Sequence, residues 1–212
     1  MLRARAAVLL AAIAAGAAHP AVHAEGLDGW SGPFQLQLRA VYLEPQSSGS
    51  GSAPQLHLDG GWYGELSAAW FMTQVLSMEL SLGQVGSFHS SIASGAGGLS
   101  SGSLRVMPNT WTLRYDFAPG SELRPYLGLG LHYTVLSVIP AAGNPPFTVE
   151  SSQLGWVLQA GAELHLVAGW FCNADIRYLG GLDPDMTLYG RPASFTGHIN
   201  PLLLGAGVGL RW

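Results

Sequence analysis

The stretch "NPLLLGAGVGLRW", Asn200 to Trp212, contains no acid and a single Arg. Read with a period of two, Leu202, Leu204, Ala206, Val208, Leu210 and Trp212 fall on one side, and Leu203, Gly205, Gly207, Gly209 and Arg211 on the other. A helix would smear these two sets around its surface, whereas a strand separates them. A strand with one wholly apolar face must lie against either a protein core or lipid. The rest of the chain decides which.

The composition leans towards lipid. Only 10% of residues are charged, there is no Lys, and Gly occurs 29 times. Soluble domains carry roughly 25% charged residues. The chain opens with Arg3 and Arg5, an Ala/Leu-rich run and small residues at "VHA", the pattern of a cleaved signal peptide over residues 1–24. Residues 25–212 are then one domain. After the signal no apolar run approaches the ~20 residues of a membrane helix. An apolar excess without a spanning helix points to a transmembrane β-barrel, in which lumen and lipid positions alternate.

The alternation recurs. "FQLQLRAVY", "WYGELSAAW", "LSMELSLG", "TWTLRYDF", "PYLGLGLHYT", "LGWVLQAGAELHL" and "WFCNADIRY" each divide into an apolar and a polar phase. With the last segment these predict eight strands. Short links near 71–75, 118–123 and 167–169 alternate with long Gly/Ser/Pro-rich ones near 44–60, 84–107, 135–153 and 180–200. The expected fold is all-β: an eight-stranded antiparallel up-and-down transmembrane barrel with short periplasmic turns and long external loops. An even strand number lets the ends meet and leaves no open edge in lipid.

Charge placement separates lipid from core. Arg39, Glu65, Glu79, Arg114, Asp116, Glu163, Asp175, Arg177 and Arg211 all fall on the polar phase, and no charge falls on the apolar phase of these segments. An Arg facing lipid near midplane costs ~2–4 kcal/mol. Four Arg against five acids suit a narrow lumen of mutually paired side chains. Trp62 and Trp70, Phe34 and Tyr42, Trp111 and Phe117, Trp170 and Tyr178, and Trp212 stand at the ends of their segments, as interfacial girdles require. Cys172 is the only cysteine, which excludes an intrachain disulfide, and is expected to be a small apolar residue facing lipid or buried. Removing Arg3 and Arg5 leaves seven Arg against thirteen acids, so nucleic-acid binding has no electrostatic support.

The segments "MPNTWTLRYDF" and "LRPYLGLGLHYT" are similar to the Leu-Pro-Pro-Thr-Leu strand and Arg-Pro-Tyr-Val-Gly-Ala-Gly partner of the outer membrane protein W family. "FHSSI" resembles that family's Phe-Arg-His-Lys-Ile loop, with Ser in place of Arg and Lys. "QAGAELHL", "GWFCNADIRYL" and the closing strand resemble its last two hairpins. The resemblance implies an eight-stranded barrel in the outer membrane of a Gram-negative cell. It also implies a porin-like passage for small hydrophobic molecules; some relatives assist hydrocarbon uptake and some serve as bacteriocin receptors. Leu210 and the terminal Trp212 resemble the signal by which the barrel assembly machinery recognises the last strand, although that signal usually ends in Phe.

No catalytic constellation, metal site or cofactor site emerges from the His, Asp and Glu spacings, and the chain is not expected to be an enzyme. Strand phase and loop position single out Tyr63, Val157 and Phe171 as apolar lumen residues, with Leu56 and Leu154 near the outer mouth, as a path for small hydrophobic solutes. A second reading is a structural or surface-receptor barrel plugged by its own charge pairs. A third, the lipid A deacylase, rests only on the His-x-Ser spacing of His89 and Ser91. The expected partners are outer-membrane lipid, the assembly machinery and small apolar solutes.

Overall fold

The computed structural model describes residues 32–45, 47–48, 55–58, 60–83, 86–93, 99–140, 147–148, 150–182, 186–188, 191–193 and 198–212. Within these, 47–48, 55–58, 86–93, 99–105, 137–140, 147–148, 150–151, 186–188, 191–193 and 198–199 are described by their backbone pairing alone. The predicted signal peptide, residues 1–24, lies outside the described residues.

Eight strands form the wall: β1 Phe34–Glu44, β2 Gly61–Phe71, β3 Leu76–Gly83, β4 Leu99–Asp116, β5 Leu123–Pro140, β6 Glu150–Val167, β7 Trp170–Gly180 and β8 Leu202–Arg211. Each pairs antiparallel with the next, and β8 returns to β1 from Gln35↔Arg211 to Glu44↔Leu202. The sheet is therefore closed, and every strand in the wall has two partners. Backbone bonds between Phe34 and Trp212 (3.1 and 2.9 Å) finish the closing seam at the short-turn rim.

Local chemistry sets the tight turns. Ala168 (φ 49°) and Gly169 (φ 83°) form the two-residue link between β6 and β7, the left-handed pair that matches strand twist in a hairpin. Between β2 and β3, the Thr73 hydroxyl accepts the Val75 and Leu76 amides at 3.3 and 3.0 Å. Between β4 and β5, the Ser121 hydroxyl donates to the Ala118 carbonyl (3.0 Å) next to Gly120 (φ 86°).

Burial along the wall follows the period of two. In β1 the odd residues Gln35 to Leu43 are buried while Phe34, Leu36, Leu38 and Ala40 are exposed. Leu129, 61% exposed, and Arg114, 0% exposed, belong to neighbouring strands of one wall. A soluble protein would invert that relation. Cys172 is on the outer face, between Leu164 and Val208.

Two details differ from the sequence reading. β4, β5 and β6 are each 18 residues long, beyond the 9–11 that cross a bilayer. Much of the span read as the 84–107 loop is strand, because Gly86–Ala93 pairs with the outer part of β4 from Gly86↔Val106 to Ala93↔Leu99. Beyond the lipid no contrast of environments enforces alternation, so Ser- and Gly-rich segments pair without a periodic signature. Trp111 is also not at a strand end. It stands within β4 between Leu80 and Leu131. The outer girdle instead contains Tyr42 against Trp62 and Trp156 against Tyr178, with ring centres 5.2 and 5.5 Å apart.

Candidate functional site

The inward side chains form two layers. The lower one, towards the short turns, is polar. Arg39 of β1 donates to Glu65 of β2 (2.8 Å), Asp175 of β7 (3.0 Å) and Glu79 of β3 (3.0 Å). Arg114 of β4 donates to the other oxygen of Glu79 (2.7 Å), to Glu163 of β6 (2.7 Å) and to Asp116 (3.4 Å), and stacks 3.7 Å over the Tyr126 ring. Arg177 reaches Glu65 at 2.8 Å and Asp175 at 3.2 Å. Glu79 thus joins the two sides of the network.

Glutamines extend the network. Gln35 donates to Glu163 (2.8 Å), Gln37 to Glu79 (3.1 Å) and Gln159 to Asp175 (3.0 Å). Together with the arginine bonds they link β1 to β3, β6 and β7, and β4 to β6, across the lumen. The interior of an eight-stranded barrel is only wide enough for side chains to fill, so such a layer closes the axial route. Burial of these charges is tolerable because each meets opposite charges at hydrogen-bond distance.

All nine charged residues expected in the lumen are buried there, Arg211 included. Arg211 sits at the lower rim, where Nε donates to the Gly32 carbonyl (2.7 Å) and the guanidinium lies 3.4 Å from the Phe71 ring centre. Sequence reasoning missed a fifth cation, Arg124, whose Nη2 donates to Asp116 at 2.8 Å. Its signal was present: Arg124 shares the phase of Tyr126, Gly128 and Gly130, one residue before the segment was taken to begin. Adding it makes five Arg (39, 114, 124, 177, 211) against five acids (65, 79, 116, 163, 175), a formally neutral interior.

The upper layer is mainly apolar, with Thr110, His132 and Thr134 buried on its β4 and β5 side. Val41, Leu43, Tyr63, Val157, Leu179 and Leu203 are buried on the inner face above the charges. Val41 pairs across from Tyr63, and Leu203 from both Leu43 and Arg177, so this layer rests directly on the network. Val41, Leu43 and Leu179 were not singled out as lining residues, and Leu203, although placed on the phase of Arg211, was not among the candidates either. His132 is held by Thr134 (3.0 Å) and the Gly180 carbonyl (3.1 Å), a structural role in this layer.

The five apolar candidates do not form one group. Tyr63 and Val157 belong to the upper layer. Phe171 is buried too, but near the lower rim beside Gly209, between Asp175 and the rim residue Arg211. Leu154 is 64% exposed and shares the outer face of β6 with Trp156 and Leu158. It belongs to the wall, not the mouth, because its phase is that of the lipid-facing set. Leu56 is on the short strand Gln55–Leu58, paired with Ile92, and its side chain lies outside the described residues, as do those of His89 and Ser91. At the closing seam Leu210 pairs with Leu36 and Trp170, and Trp212 is exposed at the rim.

Comparison with known proteins agrees with this architecture. The chain is 29% identical over 195 residues to the uncharacterised outer-membrane protein y4mB of Sinorhizobium fredii, covering 89% of this chain and 83% of that protein. It is 29% identical over 116 residues to the dibenzothiophene metabolism operon protein PahQ of Pseudomonas aeruginosa, about half (53%) of each. The crystal structure of the outer membrane protein OprG from Pseudomonas aeruginosa superposes with a TM-score of 0.69 at 14% identity, covering 86% of this chain and 96% of that one. The OmpW family model matches residues 32–212, from the start of the closing seam to its last residue. This chain is a member of the OmpW family of outer-membrane β-barrels.

Proposed function

We propose that the barrel passes small hydrophobic molecules across the outer membrane. The observation that carries this reading is the division of the lumen into a mainly apolar outer layer over a layer of paired charges. An uncharged apolar molecule can replace the side-chain contacts of Val41, Leu43, Val157, Leu179 and Leu203 as it enters. It cannot continue along the axis, because separating Arg39 from Asp175 or Arg114 from Glu163 would strand buried charges. It therefore leaves sideways through the wall into lipid, which attracts an apolar solute as strongly as the lumen does. PahQ, named for a dibenzothiophene metabolism operon, supports the choice of a hydrophobic cargo. The barrel positions and releases a solute without covalent chemistry. Its last strand, with Leu210 and Trp212, is the segment that the assembly machinery engages.

Uptake of a labelled alkane by cells with and without the gene, paired with planar-bilayer recording, tests the proposal. The expected result is several-fold lower uptake in the deletion strain with little ionic current through the purified barrel. Unchanged uptake would favour a plugged structural or receptor barrel, the reading that the closed network also accommodates.

A further inference from the structure

The boundary between the two layers holds polar groups that the network does not use. Tyr63, 6% exposed, stands two residues from Glu65 on the same face of β2, and its hydroxyl has no hydrogen-bond partner among the described residues. Arg177 bonds Glu65 through Nη1, and its Nη2 likewise has none. Both residues therefore neighbour one carboxylate, that of Glu65.

Buried donors in native proteins are almost always satisfied. Groups orphaned at the floor of an apolar layer call for a guest that brings an acceptor. A pure hydrocarbon would leave them unmet. A carboxylate would bring a negative charge beside Glu65 and Asp175, into a lumen already balanced at five against five, and like charges so close repel. The matching chemistry is an uncharged apolar chain or ring with one accepting oxygen.

From this juxtaposition we infer that Tyr63 and Arg177 form a hydrogen-bonding subsite for the oxygen of a neutral, otherwise hydrophobic molecule — a ketone, alcohol or ester — whose apolar body lies among Val41, Leu43, Val157 and Leu203. The inference rests on the passage reading and refines its cargo.

The test uses the full barrel in lipid nanodiscs, with 2-octanone, n-octane and octanoate as probes. Wild type is expected to bind 2-octanone more tightly than octane, with the carbonyl stretch of the bound ketone lowered by hydrogen bonding. Tyr63→Phe, which keeps the ring, should weaken ketone binding about five-fold, as one neutral hydrogen bond predicts. Octane binding should stay unchanged, which also verifies that the variant is folded. Equal binding of ketone and octane by wild type, an unshifted carbonyl, or octanoate bound as tightly as the ketone would overturn the inference. So would an unchanged ketone-to-octane ratio in the variant. Parallel flux measurements in proteoliposomes separate the two readings. Ketone preference without flux of either solute defeats passage and leaves the subsite, whereas flux of both without preference defeats the subsite alone.

Discussion

The lower and upper halves of the lumen come from the same strands and the same pleat, yet they behave as opposites. On β2, Glu65 belongs to an ion network and Tyr63 to an apolar layer. On β7, Arg177 is tied to two acids, and Leu179 beside it is buried against hydrocarbon. One step of two residues changes the solvent that the interior offers. In the passage proposed above, selectivity is a matter of height along the axis. The lower half would exclude because its charges are tied to one another, and the upper half would admit because a greasy guest replaces greasy neighbours.

The sharpest way to break this contrast is at Glu79, which Arg39 and Arg114 share. Glu79→Ala leaves two buried guanidiniums short of a counter-charge and should cost about 3–5 kcal/mol, read from urea unfolding followed by tryptophan fluorescence. It should also raise ionic conductance in planar bilayers. A stability equal to wild type would mean that the network is not what holds the lower half. The outer wall provides the next largest effect. Leu129→Arg, on the lipid face, should cost about 2–4 kcal/mol, whereas an Arg at position 114 on the neighbouring strand is tolerated because it points inward to Glu79 and Glu163. Smaller in stability but specific in function is Val157→Thr, which puts a hydroxyl in the upper layer. It should lower alkane uptake several-fold at a cost near 1–2 kcal/mol, with conductance unchanged. Last, Trp212→Ala should leave the unfolding midpoint of refolded barrel within about 0.5 kcal/mol, since the exposed ring is off the lumen. It should still lower the amount assembled in the outer membrane, measured by the heat-modifiable band on a gel.

Much of the barrel was legible from the chain. The nine lumen charges were readable because a lipid-facing charge is penalised at each strand independently, so the phase repeats until it is unmistakable. Arg124 escaped only through a one-residue error at the start of β5. The apolar path was read less well. Leu154 was placed at the mouth although its phase puts it on the wall, and Phe171 was grouped with Tyr63 although the charges lie between them. Leu203 was placed on the inward phase with Arg211 but not singled out as a lining residue.

The sequence by itself determined which side chains point in and which point out, because side-chain direction in a strand is a local property with a period of two. It also fixed the number of crossings and the short-turn rim, through turn residues such as Ala168 and Gly169. Only the tertiary structure decided who meets whom. Arg39 finds Asp175 at a separation of 136 residues, and Gln35 finds Glu163 at 128. Those meetings depend on the stagger between strands accumulated around the closed wall, a register that no single segment contains. The height of each inward residue, and with it the split between charged floor and apolar upper layer, is set only when the eighth strand closes on the first.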